Sequence, residues 1–215
     1  MKKKRRSASS RRTASVAATV EGLLCRGGLV FGHDPGTEGA TVALLLEAGR
    51  LTLLGHHRNE ALVWSPESSK VRRRCLEPAS MAAFISSVRL QRPDLEAVAI
   101  LERVSPRPGE GAVGAFGFGG WQHGPRIIFA LAGLPIALPV PRVWQKATGV
   151  EALAKQSAEV DTKAAAVVIA SKLFPALSEI LRVKAAQGVA DAALIAAYGA
   201  IIAGGASLDS MSRPS

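Results

Sequence analysis

Apolar residues along the chain fall into short blocks separated by Gly/Pro turns. "GGLVFGHD" (27–34) reads as a first strand, "GATVALLLEAG" (39–49) as a second and "RLTLLGHHRNEALVW" (50–64) as a third. Short apolar runs bounded by turn residues are strand signals, and three in succession predict an antiparallel meander. "SPESSKVRRRCLEP" (65–78) is a polar connection, and "PASMAAFISSVRLQRP" (78–93) has helical spacing that stops before Pro93. "LEAVAILERV" (95–104) is then a buried strand ending on Glu102.

A Gly/Pro-rich loop with two phenylalanines, "SPRPGEGAVGAFGFGGWQHGPR" (105–126), leads into a helix at "IIFALAGL" (127–134). "PIALPVPRVWQKATG" (135–149) reads as a strand with a Pro-bounded exit. "DTKAAAVVIASKLFP" (161–175) is an amphipathic helix stopped by Pro175. "VADAALIAAYGAIIAG" (189–204) is apolar almost all round, the mark of a buried helix. The order βββαβαβαα predicts an α/β domain, a mixed sheet with helices on both faces. It spans 27–204, with a basic tail or targeting segment at 1–26 and a second tail at 205–215.

Composition adds limits. The 215 residues suit one domain with tails, and 48% apolar residues are enough for a core. No run of about 18 uninterrupted apolar residues marks a membrane span, so no membrane partner is expected. Cys25 and Cys75 are too few for a zinc site or disulfide framework, and a reducing compartment is the simplest inference. The net charge of +10 is concentrated at the start, where "MKKKRRSASSRR" holds seven basic residues and no acid. That segment reads as organellar targeting, as a nucleic-acid arm or as a solvated tail. A second cluster, "KVRRRC", contains Lys70, Arg72, Arg73 and Arg74; it is either a solvated loop or a rim for a polyanion.

Acids are scarce in the apolar elements, and three stand at element ends: Asp34, Glu102 and Asp191. Singly, each has a structural reading, such as Glu102 paired with Arg103 or Arg107. Asp34 beside its turn has three readings: turn former, phosphate-site neighbour or metal ligand. Taken together, the three favour a shared site. Carboxylates without Cys or His companions suit hard cations, Mg²⁺ or Mn²⁺. Two such ions about 4 Å apart can drive attack of water on a phosphodiester. Gly32, Gly36 and Gly39 would then keep side chains out of the path of the phosphate.

"GHDPGTEGA", "AILERVSPRPGEGAVGAFGFG", "LPVPRVWQKATG", "DTKAAAVVIASKLFP" and "VADAALIAAYG" occur in the order found in RuvC-like Holliday junction resolvases. The chain resembles that family over roughly residues 28 to 200, most closely in the look of its phage-type and plant or algal chloroplast members. The resemblance implies an RNase H-like fold with a five-stranded mixed sheet. It also implies a homodimer that nicks four-way DNA junctions with Mg²⁺ or Mn²⁺, two ions per site. Carried over by position, Asp34, Glu102 and Asp191 are the acids, and Lys163 a phosphate or transition-state contact. Phe116 and Phe118 match the segment that probes the junction centre, or else they pack in the loop. Trp144, Gln145 and Lys146 match a region that could touch phosphate, with Trp144 readable as core. The basic start would then fit a chloroplast or other DNA-containing organelle, or the cytoplasm of a bacterial or phage host.

One departure falls on the site itself. Four residues before Asp191 the family carries an acid or histidine, and this chain has Gln187; "AAQGVADA" also lacks the usual Arg and Lys. Gln187 therefore stands as a neutral candidate ligand and catalytic-site residue, natural or engineered. His33 is expected to be a satisfied strand histidine rather than a ligand, and His56 and His57 to be exposed. Glu38 and Glu110 read as solvated. Competing functions are an RNase H-like nuclease for RNA or other branched DNA, and a junction-binding protein with weak catalysis. A phosphotransferase of the actin or sugar-kinase type shares "DPGT"-like turns but needs two such domains, which the length does not supply.

Overall fold

A computed structural model of the chain describes residues 20–64, 73–105, 109, 111–156, 160–183 and 186–204. The strands are β1 (Gly28–Asp34), β2 (Ala40–Glu47), β3 (Arg50–Arg58), β4 (Ala61–Trp64), β5 (Arg73–Leu76), β6 (Ala97–Leu101) and β7 (Ile136–Ala137). The helices are α1 (Pro78–Gln91), α2 (Ala112–Leu131), α3 (Pro141–Ala147), α4 (Val150–Gln156), α5 (Thr162–Leu173), α6 (Ser178–Leu181) and α7 (Gln187–Gly204). Five strands make one sheet in the order β3-β2-β1-β6-β7. β1, β2 and β3 pair antiparallel as the meander predicted, while β1–β6 and β6–β7 are parallel.

Side-chain alternation along the strands builds two cores. Val30, Val42, Leu44, Val98 and Ile100 face one side, with α7 and α5. Leu29, Phe31, Ala43, Leu45, Ala99 and Leu101 face the other, with α1 and α2. The expected α/β domain, a mixed five-stranded sheet with helices on both faces, is what the chain forms. α7 is long and apolar enough to cross a membrane, yet most of it is buried in the first core.

Helix ends follow local chemistry. Glu77 caps α1, its carboxylate accepting from the amides of Ala79 (3.0 Å) and Ser80 (2.6 Å), with Pro78 opening the helix. Asp161 caps α5 by accepting from the amide of Ala164 at 2.7 Å. α5 stops at Phe174, ahead of Pro175, as expected.

Several expectations need correction. The stretch 50–64 is two strands, because the chain turns at Asn59–Glu60 and β4 leaves to pair with β5 in a separate hairpin. The polar connection therefore contains a strand. The glycine-rich stretch before residue 127 is helical from Ala112: Trp121, Ile128 and Phe129 anchor it on the second core, which offsets glycine's cost of about 1 kcal/mol per helical position. Residues 135–149 hold only a two-residue strand before Pro141 starts α3. Packed chain also begins ahead of residue 27, since Val20 and Leu24 are buried in the first core.

Candidate active site

Register brings two of the three acids together. Parallel β1 and β6 align His33 with Leu101, so Asp34 and Glu102 follow as neighbours, and the amide of Glu102 donates to the His33 carbonyl at 3.0 Å. By alternation both carboxylates turn to the α7 side, since Gly32 and Ile100, two residues earlier, face α7. α7 supplies the third. It lies so close to β1 that a Cβ on Gly32 would come within 2.2 Å of the Ala192 carbonyl oxygen. Asp191 precedes Ala192, and this near-contact sets it against the end of β1.

The turn after Asp34 is held from outside. Asn59 Nδ2 donates to the carbonyl oxygens of Asp34 (3.2 Å) and Gly36 (2.8 Å). Gly39 has no room for a side chain, since its Cβ would sit 2.1 Å from the Asp34 carbonyl oxygen. Gly36 has a φ of +127° and open space around it. Only Gly36 therefore matches the expectation that glycines clear a path for phosphate. Gly32 and Gly39 serve packing.

The three acids feel one another. Burial raises Asp34 well above the usual carboxylate range, and the charges of Asp191 and then Glu102 push it further, opposed by Lys163. Asp191 is raised to about 7, first by burial and then by Glu102, again opposed by Lys163. Glu102 is raised by burial, while Trp144 Nε1, donating to its Oε2 at 2.7 Å, works the other way. Three half-buried acids facing one exposed lysine form a site short of positive charge.

An open groove of about 440 Å³ reaches two of the three acids; Asp34, Gly36, Phe118, Lys163, Gln187 and Asp191 are among its walls, and Glu102 lies behind them. Lys163 comes from the first turn of α5 and Gln187 from the start of α7, one turn before Asp191. Gln187 Nε2 is buried without a hydrogen-bond partner among the described residues. The oxygen donors and missing positive charge suit a hard divalent ion. Even so, no three His, Cys, Asp or Glu side chains among the described residues make a ready cation-binding group as they stand.

Other expected residues lie elsewhere. Lys146 is exposed on α3 and outside the groove wall, its charge acting on Glu151. Phe116 is in α2, with its side chain outside what is described. Lys70 and Arg72 lie outside the described residues; Arg73 and Arg74 belong to β5, their side chains likewise undescribed. His33 is fully buried on the opposite face, its Nδ1 2.9 Å from Thr41 Oγ1 and its ring edge-on to Phe129. Burial pushes its pKa down to about 3, so it stays neutral; it is a strand histidine as expected, but not a fully satisfied one, since Nε2 is buried without a hydrogen-bond partner among the described residues. His56 and His57 are half-buried rather than exposed. Sequence reasoning missed Asn59, for which a polar residue closing β3 is a faint signal, and the Trp144–Glu102 bond, for which there is none.

No family model and no curated protein matches the chain. Among solved structures it is similar to Thermus thermophilus RuvC in complex with a Holliday junction substrate, with TM-score 0.47 and 17% identity over 81% of this chain and 93% of that one. It is also similar to a second Thermus thermophilus RuvC structure, with TM-score 0.43 and 18% identity over 80% and 95% of the two chains. Likeness at this level assigns neither substrate nor activity.

Proposed function

We propose that the chain is a divalent-metal-dependent endonuclease that resolves four-way DNA junctions by paired nicking as a homodimer. The observation that carries this is the meeting of Asp34, Glu102 and Asp191 at one end of the sheet, beside an open groove. The ordered sequence motifs supply the substrate. An ion held by the three carboxylates and the Gln187 amide oxygen would supply Lewis-acid activation of water and of the leaving 3′ oxygen.

The chain's own groups do the rest. The Lys163 ammonium, exposed at the rim, binds the phosphate and limits repulsion from the acids beneath it. The Trp144 N–H keeps Glu102 oriented and favours its ionised form. Asp191, raised to about 7 by burial and by Glu102, would give up its proton as a cation binds, so loading of the ion should release protons at neutral pH. Phe118 in the groove wall gives a face on which a base can stack. For the dimer, α2 offers Ile127 and Leu131, 59% and 84% exposed and one turn apart, as an apolar ridge for a second copy. Delivery of the basic start to a chloroplast or another DNA-containing organelle belongs to the same reading, and a fluorescent fusion would test it.

Gln187 favours a second reading, a junction-binding protein with weak cleavage, because it places a neutral amide beside the acids. One experiment separates the readings. The chain and its Asp34→Asn, Glu102→Gln and Asp191→Asn variants are incubated with a synthetic four-way junction, a linear duplex and an RNA–DNA hybrid in Mg²⁺. Paired nicks confined to the junction and lost in each variant support the resolvase. Equal cutting of the other substrates points to a general nuclease, and binding without nicking to the second reading.

A further inference from the structure

We propose that Asn59, which stands outside the groove, is a positioning residue that presets the Asp34 carboxylate for a divalent ion. This rests on the nuclease reading above and deepens it. Asp34 closes β1 and Ala40 opens β2, so the turn between them decides where the Asp34 side chain sits. Asn59 follows the last residue of β3 and reaches back over this turn from two strands away. Its Nδ2 donates to the carbonyl oxygens of Asp34 at 3.2 Å and Gly36 at 2.8 Å, and its backbone amide donates to the Gly39 carbonyl at 2.9 Å. One residue thus holds the turn at its beginning, middle and end. Asn59 is not among the groove's walls, so it acts through Asp34 and not on a substrate.

The chemistry of the side chain fits this task and no other in view. Asn59 is 9% exposed, so little water competes for its donors. An NH₂ group carries two donors, and the turn presents two carbonyl oxygens to it. Turning the amide over would set Oδ1 against both carbonyls, so its orientation is fixed by the turn. Oδ1 is left buried without a partner among the described residues. A buried acceptor left unpaired costs free energy, and here the cost is tolerated for the sake of the two donors. The site also needs such a clamp. The charges of Asp191 and Glu102 repel Asp34, and a mobile turn would let it swing away. Gly36, with a φ of +127° and open space around it, is where that turn would give, and its carbonyl is the one held at 2.8 Å. Partners that orient an ion's ligands typically contribute about 10–100-fold to its affinity.

The test measures Mn²⁺ binding by calorimetry, without DNA, for the unmodified chain, Asn59→Leu, Asn59→Ala and the control Val88→Ala. Leucine keeps the size of asparagine and removes both donors. Val88 is buried on α1 in the second core, so its variant lowers stability without touching the turn. Both Asn59 variants should bind Mn²⁺ about tenfold more weakly, and the control as tightly as the unmodified chain. With a four-way junction, the Mg²⁺ concentration for half-maximal nicking should rise by about the same factor, and the rate should recover at saturating Mg²⁺. Equal Mn²⁺ affinity in all four chains overturns the proposal and leaves the nuclease reading intact. An equal loss in Val88→Ala also overturns it, since affinity would then follow stability alone. One measurement needs no variant: in the NMR spectrum of the unmodified chain both Nδ2 protons of Asn59 should exchange slowly with water, with and without Mg²⁺. Fast exchange of either overturns the clamp. Absence of any Mn²⁺ binding by the unmodified chain overturns the proposal and the nuclease reading together.

Discussion

Trp144→Phe isolates one hydrogen bond at the heart of the site. The indole N–H donates to Glu102 Oε2 at 2.7 Å, and Trp144 is otherwise buried in the first core at 1% exposure. Phenylalanine keeps much of that packing and removes the donor. A hydrogen bond to a charged group contributes about 1.5–3 kcal/mol, and one pH unit corresponds to about 1.4 kcal/mol. Glu102 is already raised by burial, with the indole as the force holding it down. Without it, the carboxyl should rise further.

The readout is the pH dependence of single-turnover nicking in Mg²⁺. The acid limb should move to higher pH by about one to two units in Trp144→Phe, and the rate should recover at alkaline pH. A merely structural role would lower the rate at every pH alike and track a loss of folding stability, measured in parallel by urea denaturation. An acid limb that stays in place would refute the role given to Trp144, whatever happens to the maximal rate.

Without divalent ions, thermal stability should fall as pH rises. Asp191 is raised from 3.8 to about 7, and a group with a raised folded pKa contributes stability that is present below its unfolded value and lost as pH passes the folded one. The Asp191 share of the loss, on the order of 2–4 kcal/mol by linkage, should be reversed by Mg²⁺ and missing in Asp191→Asn, which keeps the shares of Asp34 and Glu102; melting curves from about pH 5 to about pH 8 with EDTA or Mg²⁺ would show it. Gly32→Ala should destabilise by about 3 kcal/mol or more in urea denaturation, because its Cβ would stand 2.2 Å from the Ala192 carbonyl oxygen and 2.4 Å from the Ala196 nitrogen. Junction affinity should fall steeply with salt, and Lys163→Ala should flatten the log–log slope by about one; an unchanged slope removes Lys163 from phosphate contact. Gln187→Glu adds an anion to the divalent site, so nicking in Mg²⁺ should rise sharply while affinity changes little; equal nicking by both chains would show that three carboxylates suffice.

Much of the site was legible because strand periodicity is strict. Once "GLVFGHD" and "AVAIL" are strands, alternation sends Asp34 and Glu102 to the side of Val30 and Ile100, and parallel pairing makes them neighbours. "VADAALIAAYGAIIAG" announced a helix buried on all sides, and such a helix has only the sheet face to bury against. Less legible was whatever depends on tertiary contact overriding local preference. Five glycines between Gly114 and Gly124 argue against a helix, yet α2 forms there because Trp121 and Phe129 gain a core. The break at Asn59 was hidden for a related reason: its value lies in the two carbonyl oxygens it reaches across the turn, and nothing in a run of strand formers marks that.

The glycines show most clearly how fold and chemistry are joined. Gly32 lies on the sheet face that receives α7, and a Cβ on Gly188 would fall 2.1 Å from the Glu38 carbonyl oxygen and 2.6 Å from the Gly39 Cα. Helix and sheet thus meet backbone to backbone on both flanks of the carboxylates. Close approach confines the water around Asp34 and Asp191 to the groove side, so partial burial and mutual repulsion raise both. Larger residues at these positions would relax the site, letting the acids separate, hydrate and return towards ordinary carboxylate behaviour. The packing that looks like a requirement of the fold is therefore also what creates the demand for a cation, and a chain that lost one would lose the other.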